Sequence, residues 1–211
     1  ELITGALASY LLGDSVLQFS SVIGCYLFSM GIGSYVSKYV PNERVLDTFI
    51  EVELLVGLIG GVSATLLFLI FAWASEPFRF VLYTLVFSIG LFVGMEIPLV
   101  MRLLNQQQTP FSELISRVLT FDYLGALAVS LLFPLVLAPQ LGLCRSALLF
   151  GLLNAGIAAW AYWQFRHQLC YPSQQLARSS IVILILASLF IASDWLTEWN
   201  EKTVYGDDII H

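Results

Sequence analysis

Residues 51–73 read EVELLVGLIGGVSATLLFLIFAW, and after the short turn Ser75, Glu76, Pro77, residues 78–104 read FRFVLYTLVFSIGLFVGMEIPLVMRLL. Each run reaches the ~20 apolar residues that carry an α-helix across a hydrocarbon layer, where only helices and closed barrels satisfy their own backbone. So short a turn sets the two helices side by side and antiparallel. This pair decides the class: an all-α fold, a polytopic transmembrane helix bundle whose partner is the lipid bilayer. Bulk composition agrees, with 58% hydrophobic and 11% charged residues and a mean hydropathy of +0.84, against roughly a quarter charged in soluble domains.

Outward from that pair, the same pattern repeats. Residues 2–13 form an apolar run too short to span, as expected of the distal part of a helix that starts upstream of Glu1. Further runs are predicted at 16–39, 46–73, 78–104, 118–138 (with Pro134 inside), 143–165 and 179–195, the last only about 17 residues long and at the lower limit for a span. The count is about seven helices, the first truncated and the seventh short, in a membrane domain of residues 1–198. Residues 199–211, ending EKTVYGDDIIH, are polar and β-prone and are expected to open a C-terminal soluble domain. Small residues at helix-packing spacing, Gly57 with Gly61, Gly90 with Gly94 and Gly151 with Ala155, mark close backbone approach. The Gly57/Gly61 and Gly90/Gly94 faces are also candidates for self-association. Residues 5–12 (GALASYLL) and 125–132 (GALAVSLL) echo one another, as a parallel repeat of helix pairs would; chance among Ala, Leu and Gly gives the same echo.

Several function classes drop out. Nine Lys and Arg give no basic footprint for nucleic acid. The two histidines, His167 and His211, lie outside the helical runs, so no metal site and no intramembrane His-based protease can be assembled. Cys25, Cys144 and Cys170 form no disulfide or metal spacing and read as packed thiols. No Gly-rich strand-to-helix turn, GxSxG or HExxH occurs, so no catalytic residue and no cofactor is assigned to this chain.

What remains is a set of carboxylates in apolar surroundings. An ionised acid at a helix centre costs about 2.5 to 3.5 kcal/mol on insertion scales, and Glu1, Asp14, Glu51, Glu53, Glu96 and Asp122 need an account. Glu51, Glu53 and Asp122 lie near predicted helix starts, where interfacial depth and the helix dipole suffice. Glu96 is deeper, in GMEIPLVMR, where Pro98 removes a backbone donor. Two readings stay open for this polar cluster: Glu-to-Arg pairs that fix helix register, with Arg102 and Arg145 as partners, or a cleft that binds or moves a cation such as a polyamine or a proton.

Basic loop residues fall six to one side (Lys38, Arg44, Arg102, Arg117, Arg166, Arg178) and three to the other (Arg79, Arg145, Lys202). The positive-inside rule places the six in the cytoplasm, and a spanning seventh helix then puts the tail outside.

The ordered segments 1–34 (ELITGALASYLLGDSVLQFSSVIGCYLFSMGIGS), 51–61 (EVELLVGLIGG), 94–104 (GMEIPLVMRLL) and 122–143 (DYLGALAVSLLFPLVLAPQLGL) resemble the N-terminal membrane domain of membrane-bound spermidine synthases, in the polyamine aminopropyltransferase family, and EKTVYGDDIIH resembles the opening of a spermidine synthase domain. The resemblance implies a multi-pass anchor in the cell (inner) membrane, non-catalytic by itself, joined to its own C-terminal synthase-like domain. That domain would move an aminopropyl group from decarboxylated S-adenosylmethionine, its co-substrate, to putrescine in polyamine biosynthesis. It would belong in the cytoplasm, in conflict with the outside tail, unless the seventh run does not cross or the charge bias misleads.

Overall fold

The computed structural model describes residues 2–13, 15–73, 75–105 and 111–193, and among them every regular element is helical. The chain forms α1 (Leu2–Leu12), α2 (Ser15–Val36), α3 (Val45–Trp73), α4 (Ser75–Leu104), a long fifth element, and α6 (Pro172–Ile191). The fifth element has an N-terminal part α5a (Phe111–Leu132), a π-helical stretch Phe133–Leu137 and a C-terminal part α5b (Ala138–Phe165).

Among the described residues this makes six helices where the sequence predicts about seven. The predicted fifth and sixth runs follow one another without a separate loop, in one helical element that widens at Phe133–Leu137 and kinks at Gly142. Pro134 lacks an N–H, and the wider π turn takes up that missing donor without ending the helix. The backbone departs from helix only at Gly142 (φ 72°, ψ 178°), a left-handed φ that costs glycine least. Ser146 Oγ donates to the Gly142 carbonyl at 2.6 Å.

The last helix also differs from expectation. The predicted basic loop at 166–178 shrinks to six residues, because Pro172 supplies a preset φ at the first turn and the helix runs twenty residues from there. Among the described residues five stretches are long and apolar enough to cross a membrane: Val16–Tyr39, Asn42–Phe71, Pro77–Leu104, Ser112–Phe165 and Pro172–Ile191, while Leu2–Leu12 is too short. The expected soluble start at 199–211 lies outside the described residues.

α3 is the central helix, packed against α4, α5b and α6 and touched by α1. One core gathers Phe49, Ile50, Leu54, Leu99, Leu148 and Leu186 between α3, α4, α5b and α6; a second gathers Leu7, Val22, Leu67, Phe78 and Leu82 among α1 to α4. The outside is apolar too: Val16, Phe28, Phe80, Leu135, Leu184 and Ile191 are all exposed.

Close approach at two crossings rests on glycine. A Cβ on Gly94 would overlap the Met30 backbone, and one on Gly33 would overlap the Leu91 carbonyl, so α2 and α4 meet backbone to backbone. Gly57 and Gly61 do the same against Gly151 of α5b, where a Cβ on Gly57 would lie 2.7 Å from the Gly151 carbonyl oxygen. Both faces considered for self-association are therefore filled from within the chain.

Candidate functional site

The polar residues fall into two groups. The first closes the end of the bundle where α2 stops, α3 starts and α6 starts. Arg102, in the last turn of α4, donates to the carbonyls of Ser37 (3.1 Å) and Val40 (2.8 Å) and to Asn42 Oδ1. Those carbonyls end α2 and its 3-10 extension, where a helix leaves acceptors without partners. The Asp47 carboxylate, 4% exposed, accepts the backbone N–H groups of Cys170 (3.0 Å) and Tyr171 (3.3 Å). A negative charge thus sits at the positive end of the α6 dipole. Gln175, buried one turn on, donates from Nε2 to the Asp47 carbonyl (3.3 Å) and to Glu51 Oε1 (3.2 Å), and Glu51 also pairs with Arg178. Arg44 donates to the Tyr171 hydroxyl at 3.1 Å, and Lys38 lies over the Tyr35 ring.

Five of the six cations assigned to one side, Lys38, Arg44, Arg102, Arg178 and, through its loop, Arg166, gather at this end. Arg145 is at the other, where its Nε donates to Ser193 Oγ at 2.7 Å.

Cys170 is exposed, yet partial desolvation by its loop and then the Asp47 charge hold its thiol above the ordinary cysteine range. Its Sγ donates to the Glu43 carbonyl at 3.3 Å.

The second group lies deeper. Glu53 is eight residues into α3 and Glu96 eight residues before the end of α4, so both lie roughly 12 Å in from the basic end at 1.5 Å per residue, and Asp122 is eleven residues into α5a. Glu96 has both Glu53 and Asp122 within electrostatic reach. Its Oε1 is sealed from solvent without a hydrogen-bond partner, and Glu53 is 6% exposed. Asp122 is exposed on α5a.

The sequence-derived cluster therefore divides. Glu53 and Asp122 each lie within charge-to-charge reach of Glu96; Glu51 belongs to the end network; Glu1 and Asp14 lie outside the described residues. Arg102, expected as a carboxylate partner, serves carbonyls instead, because the C-terminus of α2 is nearer than Glu96, which sits about 9 Å back along the same helix. Arg145 is shown with the Ser193 hydroxyl and the Phe190 ring. Asp47, Gln175 and Ser37 were missed by sequence reasoning. An acid in the first turn of a helix is the one signal Asp47 carried, and it names no partner.

Arg102→Met should destabilise the fold by roughly 2 to 3 kcal/mol, since buried acceptors lose a charged donor. Arg117→Met should cost only about 0.3 to 0.5 kcal/mol, because its pair with Glu113 is an exposed i, i+4 contact. Thermal unfolding of both variants in the same detergent measures the difference.

No protein-family model matches the chain. No solved structure matches it either. Among curated proteins it is 62% identical, over 215 aligned residues and the whole of this chain, to polyamine aminopropyltransferase 2 of Ralstonia nicotianae, of which it covers 42%. It is 45% identical over 210 residues to the polyamine aminopropyltransferase of Leptospira interrogans, covering 42% of that protein. With its counterpart from Oceanobacillus iheyensis it shares 34% identity over 213 residues and covers 41%. The chain thus spans about two fifths of the length of these relatives.

Proposed function

We propose that this chain is the membrane-spanning, N-terminal portion of a polyamine aminopropyltransferase, holding at the membrane a catalytic part that lies outside it. Identity along the whole of this chain with about two fifths of three proteins of that name, at 62%, 45% and 34%, carries the assignment. Five stretches long and apolar enough to span support the anchoring role. Among the described residues the polar groups either close the end of the helix bundle or are the deeper carboxylates, and none of them pairs a nucleophile with a base or lines a nucleotide-binding loop. The transfer itself, from decarboxylated S-adenosylmethionine to an amine acceptor, therefore belongs to the remainder of the protein.

In this reading the end carrying Lys38, Arg44, Arg102, Arg166 and Arg178 faces the cytoplasm, following the positive-inside rule, and a spanning α6 then sets its C-terminal end on the opposite side, against the cytoplasmic placement that the resemblance implies for the catalytic part. Cys170 is a native reporter of that end, being exposed while Cys25 is half-buried and Cys144 buried. Two measurements test the proposal. Alkaline carbonate washing should leave the chain in the membrane pellet. A membrane-impermeant maleimide should label Cys170 in inside-out vesicles and spare it in intact cells. Release by carbonate would refute anchoring; labelling in intact cells would refute the orientation while leaving anchoring in place.

A further inference from the structure

We infer that the bundle end carrying Lys38, Arg44 and Arg166 is a docking surface for the headgroups of anionic phospholipids, whose phosphodiesters these three cations contact. The inference rests on the anchoring reading, because headgroups meet this end only where the apolar stretches span a bilayer.

Depth is the first ground. Val16–Tyr39 and Ser112–Phe165 end here, and Asn42–Phe71 and Pro172–Ile191 begin here. Lys38 is next to the first of these ends, Arg44 is close after Asn42, and Arg166 directly follows Phe165. At 1.5 Å per residue each cation lies within roughly 3 Å of the place where an apolar stretch stops, which is the level of lipid headgroups. Exposed aromatic rings mark the same end: Tyr35, Tyr39, Trp160, Trp163 and Tyr171. Tyr and Trp settle at the boundary between hydrocarbon and water.

Charge is the second ground. Arg117 pairs with Glu113, Arg178 pairs with Glu51, and Arg102 serves the carbonyls that end α2. Lys38, Arg44 and Arg166 are exposed, and among the described residues no carboxylate pairs with them. Asp47 is turned inward onto the N–H groups of Cys170 and Tyr171, which leaves Glu43 as the exposed acid beside them. This end therefore presents net positive charge to whatever lies against it.

Placement is the third ground. Lys38 Nζ lies 3.4 Å from the centre of the Tyr35 ring and 4.8 Å from that of Tyr39. The Arg44 guanidinium carbon lies 5.5 Å from the centre of the Tyr171 ring, whose hydroxyl accepts one of its N–H groups. Cations held on rings lose less freedom when they bind. A guanidinium has five N–H donors, so Arg44 keeps enough of them to grip a phosphate with two in parallel. A zwitterionic lipid has the same phosphodiester, but its own ammonium cancels the charge. The surface thus selects lipids of net negative charge.

The test is native mass spectrometry of the purified chain in detergent, titrated with dioleoyl phosphatidylglycerol or dioleoyl phosphatidylcholine, which differ only in headgroup. Phosphatidylglycerol should bind at least about tenfold more tightly. Lys38→Gln, Arg44→Gln and Arg166→Gln should each weaken its binding about three- to fivefold, and the triple variant should lose the preference. Arg44→Lys keeps the charge and should retain most of the affinity, while Arg79→Gln, at the opposite end of the bundle, should leave it unchanged. All these side chains are exposed, so folding is retained, and unchanged thermal unfolding of each single variant verifies this. Equal binding of the two lipids, or a preference that survives in the triple variant, would overturn the inference. Displacement of phosphatidylglycerol by millimolar inorganic phosphate would overturn it too, by showing a site for free phosphate. A chain that stays in carbonate-washed membranes yet binds both lipids equally would refute this inference and leave anchoring in place.

Discussion

Replacing Gly94 with leucine should remove most of the folded protein, destabilising it by roughly 3 kcal/mol or more. The reason is local and geometric. At the α2–α4 crossing a Cβ on Gly94 would occupy the space of the Met30 carbonyl group, and a Cβ on Gly90 would meet Ser29 Oγ and the Tyr26 carbonyl. The obstructing atoms are mostly backbone, which cannot swing aside as a long side chain can, so the helices must separate. Separation is especially costly for a bundle in lipid: surrounding acyl chains are as apolar as leucine, and association depends on close packing more than on escape from water. Gly94→Ala should already show a loss, since the first added carbon is the one that collides. Gly24→Leu is the matched control. A Cβ there meets nothing within 4 Å, and leucine is the better helix former by about 0.8 kcal/mol, so that variant should be neutral or slightly stabilised. Thermal unfolding in detergent, read by circular dichroism, separates the three. An unchanged midpoint for Gly94→Leu would mean that α2 and α4 do not cross there.

The helices were legible because a run of apolar residues of spanning length has one backbone solution; residues 51–73 and 78–104 could be placed from hydropathy alone. Their junctions were less so. Pro134 marks a weak point in a helix but does not say whether the chain bends, breaks or widens into a π turn, and Gly142 permits a left-handed φ without requiring it. Nor does hydropathy say where α6 begins, because Gln174, Gln175 and Arg178 look like loop until Asp47 and Glu51 are known to face that first turn. The carboxylates were half legible. Glu96 stands out as an acid in an apolar run. Glu53, two residues from Glu51, looks equally superficial, yet the roughly 200° between them on a helix sends Glu51 to Arg178 and Glu53 inward. Arg102 was visible as a cation and unreadable as a cap, since its acceptors lie more than sixty positions earlier in the chain.

Asp47 is the other position where a single change should act strongly. Asp47→Ala is expected to cost roughly 3 kcal/mol, because two charge-assisted hydrogen bonds and the favourable interaction with the α6 dipole disappear together. Its carboxylate is the link between the start of α3 and the start of α6, 123 and 124 residues on, through the N–H groups of Cys170 and Tyr171. Without it those donors turn to solvent, the loop at 166–171 loosens, and Gln175 loses the alignment by which it reaches the Asp47 carbonyl and Glu51. Asp47→Asn keeps an acceptor of the same shape and should cost about half as much. Cys170 supplies a readout that separates charge from structure. Desolvation and then the Asp47 charge hold its thiol up, so less of it is thiolate near neutral pH than in a free cysteine. Removing the negative charge lowers that pKa, and alkylation at fixed pH should speed up severalfold in Asp47→Asn while the fold persists. In Asp47→Ala the rate should rise further, because the loop opens as well and the bond from Cys170 Sγ to the Glu43 carbonyl breaks with it. If Asp47→Asn alkylates no faster than the parent chain, the Asp47 carboxylate does not face Cys170 and the pinning of α6 to α3 must be sought elsewhere.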